Sequence, residues 1–413
     1  MNNDNTLIPQ YRFPAFKNTS WKEKKMDQLF HFVRGPFGGA LKKEIFTDKG
    51  YAVYEQSHAI YNNFTDYRYF ITKDKYNELI RFSVKPNDLI MSCSGTMGKF
   101  SIVPDDYKEG VINQALLKLT TKENNSVHFL KYLLETDIYQ HKLLSQSAGG
   151  AIKNVVGVNE IKEISTIIPE LPEQQKIADC LSSLDDVIAG NEEKLTALEE
   201  HKKGLMQNLF PQEGETKPKY RFPEFENDGD WVEKKLGEVA TFLNGRAYKQ
   251  EELLDKGKYR VLRVGNFFTN NQWYYSDLEL EENKYCDQGD LLYAWSASFG
   301  PKIWTGEKVI YHYHIWKVLP QINISNQFLY YLLDLETLHM KTRSLNGFAL
   351  MHITKGAIEN WDSIVPVNLN EQQKIASVLS SVDELIVAQQ EKIASLKEHK
   401  KGLMQGLFPK IES

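Results

Sequence analysis

Ser94-Gly95-Thr96-Met97-Gly98-Lys99-Phe100 is the stretch of this chain nearest in type to a phosphate-cradling loop. A Walker A loop needs a glycine five residues before its Gly-Lys pair and a Ser or Thr after it. Cys93 and Phe100 stand at those places, so the stretch reads as a turn at the end of a strand. No G-x-G-x-x-G follows a strand-like run, so a dinucleotide or S-adenosylmethionine fold has no fingerprint. The Asn/Asp-Pro-Pro-aromatic tetrapeptide of an amino-methyltransferase is also absent. His312 and His314 flank Tyr313 on one face of a strand, without carboxylates or cysteines at ligand spacing, and read as a polar contact face rather than a metal site. Cys93, Cys180 and Cys286 are too scattered for a disulfide framework or a cysteine zinc site. Acid pairs such as Asp105-Asp106 read as solvated faces. The expectation is a chain with no catalytic residue and no metal of its own.

The chemistry left is recognition. Arg and Lys grip phosphates or read guanine, while Asn and Gln pair with adenine. In the first half the candidates are Arg34, Lys42, Lys43, Tyr67, Arg68, Ser94, Thr96, Lys99, Gln146, Lys153 and Asn154. In the second they are Arg246, Tyr248, Lys249, Arg263, Asn266, Ser296, Ser298, His312, His314, Arg343, Asn346, His352 and Lys355. For any single one, a plain surface role competes with base contact. Positions that differ between the halves are candidate readers: Glu55, His58 and Lys99 in the first, against Arg263, Asn266 and Pro301 in the second.

Those halves follow from a repeat. Residues 171–211 recur as 369–409 without a gap, with 26 of 41 positions identical. Tyr11-Arg12-Phe13-Pro14 recurs as Tyr220-Arg221-Phe222-Pro223, and Asp88-Leu89 recurs as Asp290-Leu291. The first long segment runs through Pro211 and a polar linker into the second Tyr-Arg-Phe-Pro. The second copy's continuation is the segment around Tyr11, so the two chain ends are expected to lie near each other.

Within the repeat, apolar residues alternate spacings of four and three. The first seam is Ile177, Leu181, Leu184, Ile188, Leu195, Leu198, Leu205 and Leu209, with polar Asn191 and Lys202. The second is Ile375, Leu379, Val382, Ile386, Ile393, Leu396, Leu403 and Leu407, with Gln389 and Lys400. Such a pattern marks a coiled coil, and its polar layers fix register or leave room for a partner. The symmetry of the repeat makes the pairing antiparallel. A helix over 173–208 spans roughly 54 Å at 1.5 Å per residue. The flanking segments show short strand-like runs, Tyr51–Tyr54 and Leu291–Ala294 among them, and one helix each around Phe129–Leu144 and Phe328–Met340. The expected architecture is mixed α/β (α+β), with two globular domains in tandem, each followed by a long helix, and pseudo-two-fold overall. The domains are 1–170, 171–211, 212–368 and 369–413.

The 413 residues carry a net charge of −5, which argues against nucleic acid taken whole, although residues 1–170 are net basic. No apolar run is long enough to span a bilayer, and the start of the chain lacks a signal peptide's basic and apolar regions, so a cytoplasmic protein is expected. In the two Glu-Gln-Gln-Lys-Ile-Ala segments at Glu173 and Glu371, and the two His-Lys-Lys-Gly-Leu-Met-Gln segments at His201 and His399, the chain resembles the specificity subunit of type I restriction-modification systems. Asp290-Leu291-Leu292 and Ser296–Gly300 also look like that family's target-recognition domains, and the resemblance covers essentially the whole chain. It implies a non-catalytic reader of double-stranded DNA. Each target-recognition domain would read half of a bipartite asymmetric site, and the coiled coil would set the spacer. Two methyltransferase (modification) subunits and restriction (translocase/nuclease) subunits would be partners. S-adenosylmethionine, ATP and Mg would belong to those partners, with no cofactor on this chain. Two other readings stay open: a self-contained restriction-modification enzyme, and a coiled-coil protein adaptor without DNA readout.

Overall fold

The computed structural model describes residues 8–37, 39–145, 157–268, 270–296, 299–344 and 352–409. The chain forms two compact units, Met1–Glu193 with Glu391–Ser413, and Lys194–Gln390. The first contains β1 (Lys22–Lys25), α1 (Met26–Leu29), β2 (Phe30–Arg34), β3 (Tyr51–Tyr54), α2 (Gln56–Tyr61), β4 (Phe70–Ile71), α3 (Lys73–Glu78), β5 (Asp88–Ser92), β6 (Phe100–Ile102), β7 (Gly110–Ile112) and β8 (Leu116–Thr121). It continues with α4 (Val127–Glu135), α5 (Asp137–Ser145), α6 (Val158–Glu163), β9 (Ser165–Ile168) and the start of α7 (Leu171–Leu209). An antiparallel sheet of order β2-β8-β5-β6 lies beside a smaller sheet, β4-β3-β7, in which β3 and β7 run parallel.

The second unit repeats this plan: β10 (Val232–Lys235), α8 (Leu236–Val239), β11 (Ala240–Asn244), β12 (Tyr259–Leu262), α9 (Val264–Phe268), β13 (Tyr274–Ser276), β14 (Tyr285–Cys286), β15 (Leu291–Ala294), β16 (Gly300–Ile303), β17 (Val309–Tyr311) and β18 (Ile315–Pro320). Then come α10 (Asn326–Ser344), α11 (Lys355–Glu359), β19 (Asp362–Val365) and α12 (Leu369–Leu407). Its sheets have orders β11-β18-β15-β16 and β13-β12-β17-β14, and the place of β14 is held in the first unit by a single antiparallel bridge from Ser83 to Val111. β5, β15 and β17 are buried along their whole length, which suits the apolar runs Leu89–Met91, Leu291–Ala294 and Val309–Tyr311.

The repeated motifs fasten each globular part to its helix. Arg12 donates from two nitrogens to Glu173 at 2.7 and 2.8 Å. Arg221 donates to Glu371 at 2.7 Å through each of two nitrogens. All four side chains are at most 10% exposed, so each charge has exchanged water for its partner. The buried Gln174 accepts from the Ser126 N–H and donates to the Pro169 carbonyl, and Gln372 does the same with Ser325 and Pro366. Asp88-Leu89 and Asp290-Leu291 recur for a similar reason. Asp88 takes the Lys85 N–H and the Thr120 hydroxyl beside Lys118, and Asp290 pairs with Lys317 at 2.7 Å.

Every expected seam residue is buried or half-buried. In the first unit Lys400 bonds Asp185 at 2.5 Å and Lys397 bonds Glu192 at 2.7 Å, so the index falls along α12 as it rises along α7: the helices run antiparallel. In the second unit Lys202 bonds Asp383 at 2.7 Å, and Ile375 and Leu379 share a core with Met206 and Leu209. The polar seam residues Lys202 and Lys400 are therefore register pins. The same carboxylates accept from Tyr331 and Tyr132, both at 2.7 Å, which ties in α10 and α4.

Two expectations are corrected. The single helix expected around Phe129–Leu144 is broken at Thr136, whose backbone is extended and whose carbonyl takes the Gln140 N–H to start α5, while α10 runs unbroken. Lys99 matches Gly300 rather than Pro301, because Pro301 and Phe100 hold the same place in the strand register. The segments around Tyr11 and Gly406 do meet within the first unit: Tyr11 N–H donates to the Gly406 carbonyl at 2.8 Å, as Tyr220 donates to Asn208 at 2.9 Å.

Candidate nucleic-acid interface

In each unit the ends of four strands converge on one short turn. In the first the turn is 113–115, between β7 and β8. The Asn113 N–H bonds the end of β3 at Tyr54, the Ala115 carbonyl takes the Cys93 N–H beyond β5, and the Leu116 carbonyl takes the Gly35 N–H beyond β2. The second unit repeats all three bonds, from His312 to Leu262, Trp295 to His314, and Gly245 to Ile315. Gly35 and Gly245 are required there. A Cβ would stand 1.8 Å from the Asn113 carbonyl oxygen in one case and 2.4 Å from that of His312 in the other.

The side chains on this common frame differ. The first unit has an open cavity of about 550 Å³ lined by Glu55, Gln56, Ser57, His58, Asp66, Arg68, Ser94, Asn113 and Ala115. Arg68 is exposed and lies over the Tyr69 ring at 4.8 Å. The second unit presents Arg263, Trp295, Ser296, His312, Tyr313 and His314, with His352 bridged to Ser296. Burial lowers His312 to about 4, helped by His314 and Arg263, so this imidazole is neutral at pH 7. Burial also lowers His314. Arg263 is exposed and lies 4.9 Å from the Tyr274 ring centre.

The structure thus gathers Arg68 and Ser94 in one unit, and Arg263, Ser296, His312, His314 and His352 in the other. Several remaining candidates have structural duties. Arg246, just beyond β11, runs alongside that turn and is bridged to His312, but its guanidinium is held by Glu252 at 2.7 and 2.9 Å and pulls that carboxyl down to about 2. Tyr67 packs on His58 and bonds Tyr54, and Asn266 ties its own turn to the Asn270 and Gln272 carbonyls. Arg343 pairs with Glu213, Lys355 with Glu359, and Lys249 with Glu251. Tyr248 is half-buried and stacked on His312. Arg34 is half-buried beside Cys93, whose thiol burial pushes up to about 11 against the pull of the guanidinium. Lys42, Lys43, Thr96 and Lys99 are exposed on neighbouring connections. His58, expected as a reader, is buried with both ring nitrogens used, on the Glu55 N–H and the Asp66 carbonyl. Gln146, Lys153, Asn154, Ser298 and Asn346 lie outside the described residues.

Sequence reasoning passed over Gln56, Asn113, Gln114, Trp295 and Tyr313. Aligning β8 with β18 on Lys118 and Lys317 would have exposed the turn that carries three of them. Among the described residues no cluster of His, Cys, Asp or Glu could hold a metal ion, and no helix is long and apolar enough to cross a membrane.

The sequence model described as "Type I restriction modification DNA specificity domain" matches residues 18–200 and again 228–398. The chain is 26% identical over 348 residues to the type I restriction enzyme MjaVIII specificity subunit of Methanocaldococcus jannaschii, covering 79% of each. It is 23% identical over 450 residues to that organism's putative MjaX specificity subunit, covering 97% of each. Its fold is similar to that of the type I restriction-modification S subunit from M. genitalium, with TM-score 0.59 and 16% identity over 98% of this chain and 100% of that one. A chain from a structural study of type I R-M complex assembly and conformational transition gives TM-score 0.54 and 17% identity, covering 96% of this chain and 99% of that one.

Proposed function

The chain belongs to the type I restriction modification DNA specificity family, and from that premise we propose that it is the DNA-reading subunit of a type I restriction-modification complex. The observation that carries this is the repeated frame. The same strand ends meet at the same turn in both units, held by the same backbone bonds, while the side chains they present differ. A frame used twice with different exposed groups suits two different base sequences on one kind of ligand.

In this reading the segments 1–170 and 212–368 are the target-recognition domains, each meeting one half of a bipartite asymmetric site in double-stranded DNA. The segments 171–211 and 369–413 set the unread spacer and dock two methyltransferase subunits, with restriction subunits joining the assembly. The chain itself is a non-catalytic, cytoplasmic subunit. S-adenosylmethionine, ATP and Mg serve the partners. The pinned register of the helices supports a fixed spacer, because sliding would break the Lys202–Asp383 and Lys400–Asp185 bonds. With a net charge of −5, the isolated chain binds duplex weakly, and the partners supply much of the phosphate contact.

The test is genome-wide mapping of methyladenine in cells co-expressing this chain with its methyltransferase subunit. The expected result is one two-part motif with a constant gap that disappears without this chain. An assembled complex that yields no such motif would favour the protein-adaptor reading.

A further inference from the structure

One register position reverses its charge between the units. Tyr54 pairs with Ile112 in the parallel strands of the first unit, and Leu262 pairs with Tyr311 in the second. The next residue, at the mouth of each frame, is Glu55 in one and Arg263 in the other. Resting on the reading that both units meet duplex DNA, we propose that this position sets base preference, with Arg263 reading guanine and Glu55 reading the amino group of cytosine.

Arg263 is the available cation of its neighbourhood. Arg246 is held by Glu252 and Arg260 by Glu307, whereas Arg263 has no carboxylate partner among the described residues. Its guanidinium lies against the Tyr274 ring, which limits the orientations it must give up on binding. A planar fork of donors matches the O6 and N7 acceptors of guanine. His312 beside it is neutral at pH 7, so the arginine is the fixed positive charge of this pair.

Glu55 likewise has no ion pair with any described residue, and it lines both the cavity of about 550 Å³ and its neighbour of about 210 Å³. A lone carboxylate is repelled by phosphate, so a backbone contact cannot be its role. What it can gain from duplex DNA is a hydrogen bond from a base amino group, and cytosine N4 is the match for Glu. Gln114 stands on the adjacent turn, exposed and without a side-chain hydrogen bond to a described residue, as a second group for a base edge.

The experiment is methyladenine mapping with the full complex carrying Arg263→Lys, Arg263→Gln or Glu55→Gln. Arg263→Lys keeps the charge and removes the fork. The expected result is that it relaxes one G·C position in one half-site, by on the order of ten- to a hundredfold in preference, and leaves the other half-site intact. Glu55→Gln should relax one G·C position in the opposite half-site. Methylation that falls evenly over an unchanged motif would make Arg263 a phosphate contact and Glu55 a scaffold residue, and would overturn the proposal. A wild-type half-site with no specified G·C pair would overturn it without any variant. For a variant that methylates nothing, competition between the wild-type duplex and single-substituted duplexes decides: an unaltered preference at every position overturns the proposal. A wild-type complex with no two-part motif defeats the DNA reading itself, and this proposal with it.

Discussion

Glu371 receives two nitrogens of Arg221 and the indole N–H of Trp231, and its side chain is 1% exposed. Removing the carboxylate strands a buried guanidinium and a buried indole donor. Glu371→Ala should therefore cost about 3–5 kcal/mol, the penalty for breaking a buried pair from one side, and thermal melting will read it. Glu173→Ala should act alike through Arg12. His312 gives a pH test. Its folded value of about 4 lies below the ordinary 6.5, so the unfolded chain takes up the proton first. Its stabilising contribution is present above pH 6.5 and is lost as pH falls towards 4. Melting temperatures across that window should fall less steeply for His312→Gln than for the parent.

At the scale of elements, Lys202 is a polar residue at a heptad seam, where the pattern alone would welcome leucine. The structure shows it bonded to Asp383, with Tyr331 on the same carboxylate. Lys202→Leu should thus be destabilising by about 1 kcal/mol, and a double-mutant cycle with Asp383→Asn should return a coupling of similar size. A gain in stability would favour the bare heptad rule. The long helices were legible because their seams repeat over many turns and burial on one face is all such a pattern encodes. The sheets were legible only in part. Parallel pairing of β3 with β7 joins segments far apart in sequence, and no local period marks it. The break at Thr136 was hidden because the apolar spacing continues through it. Residue types named the right chemistry at the turn but not which groups were available. Arg246 reads as a free cation until Glu252, six residues on, folds back to hold it. His58 reads as a surface imidazole until Asp66 closes over it. Gln114 carries no sequence signal, since its exposure is decided by strands that meet only in the fold.

For the whole molecule, the bond from Tyr11 to Gly406 stands in for the covalent path that joins Asn208 to Tyr220. A permuted chain, with 409 joined to 8 by a short linker and new ends opened within 212–219, should keep the packing of the first unit. On the proposed function, its co-expression with a methyltransferase subunit should yield the parental methylation motif. Loss of assembly in that permutant would show that the connection at 212–219 does more than link. The two units also differ in how they can be made. Lys194–Gln390 is one continuous stretch, whereas the first unit takes its last core side chains, Leu407 and Phe408, from the far end of the chain. The cap over Phe129 thus comes from a segment that lies beyond the whole second unit in sequence. Contacts so distant form only after a long loop has closed. The second unit is therefore expected to reach its native packing first, and refolding followed at Phe129 should lag behind refolding followed at Trp316.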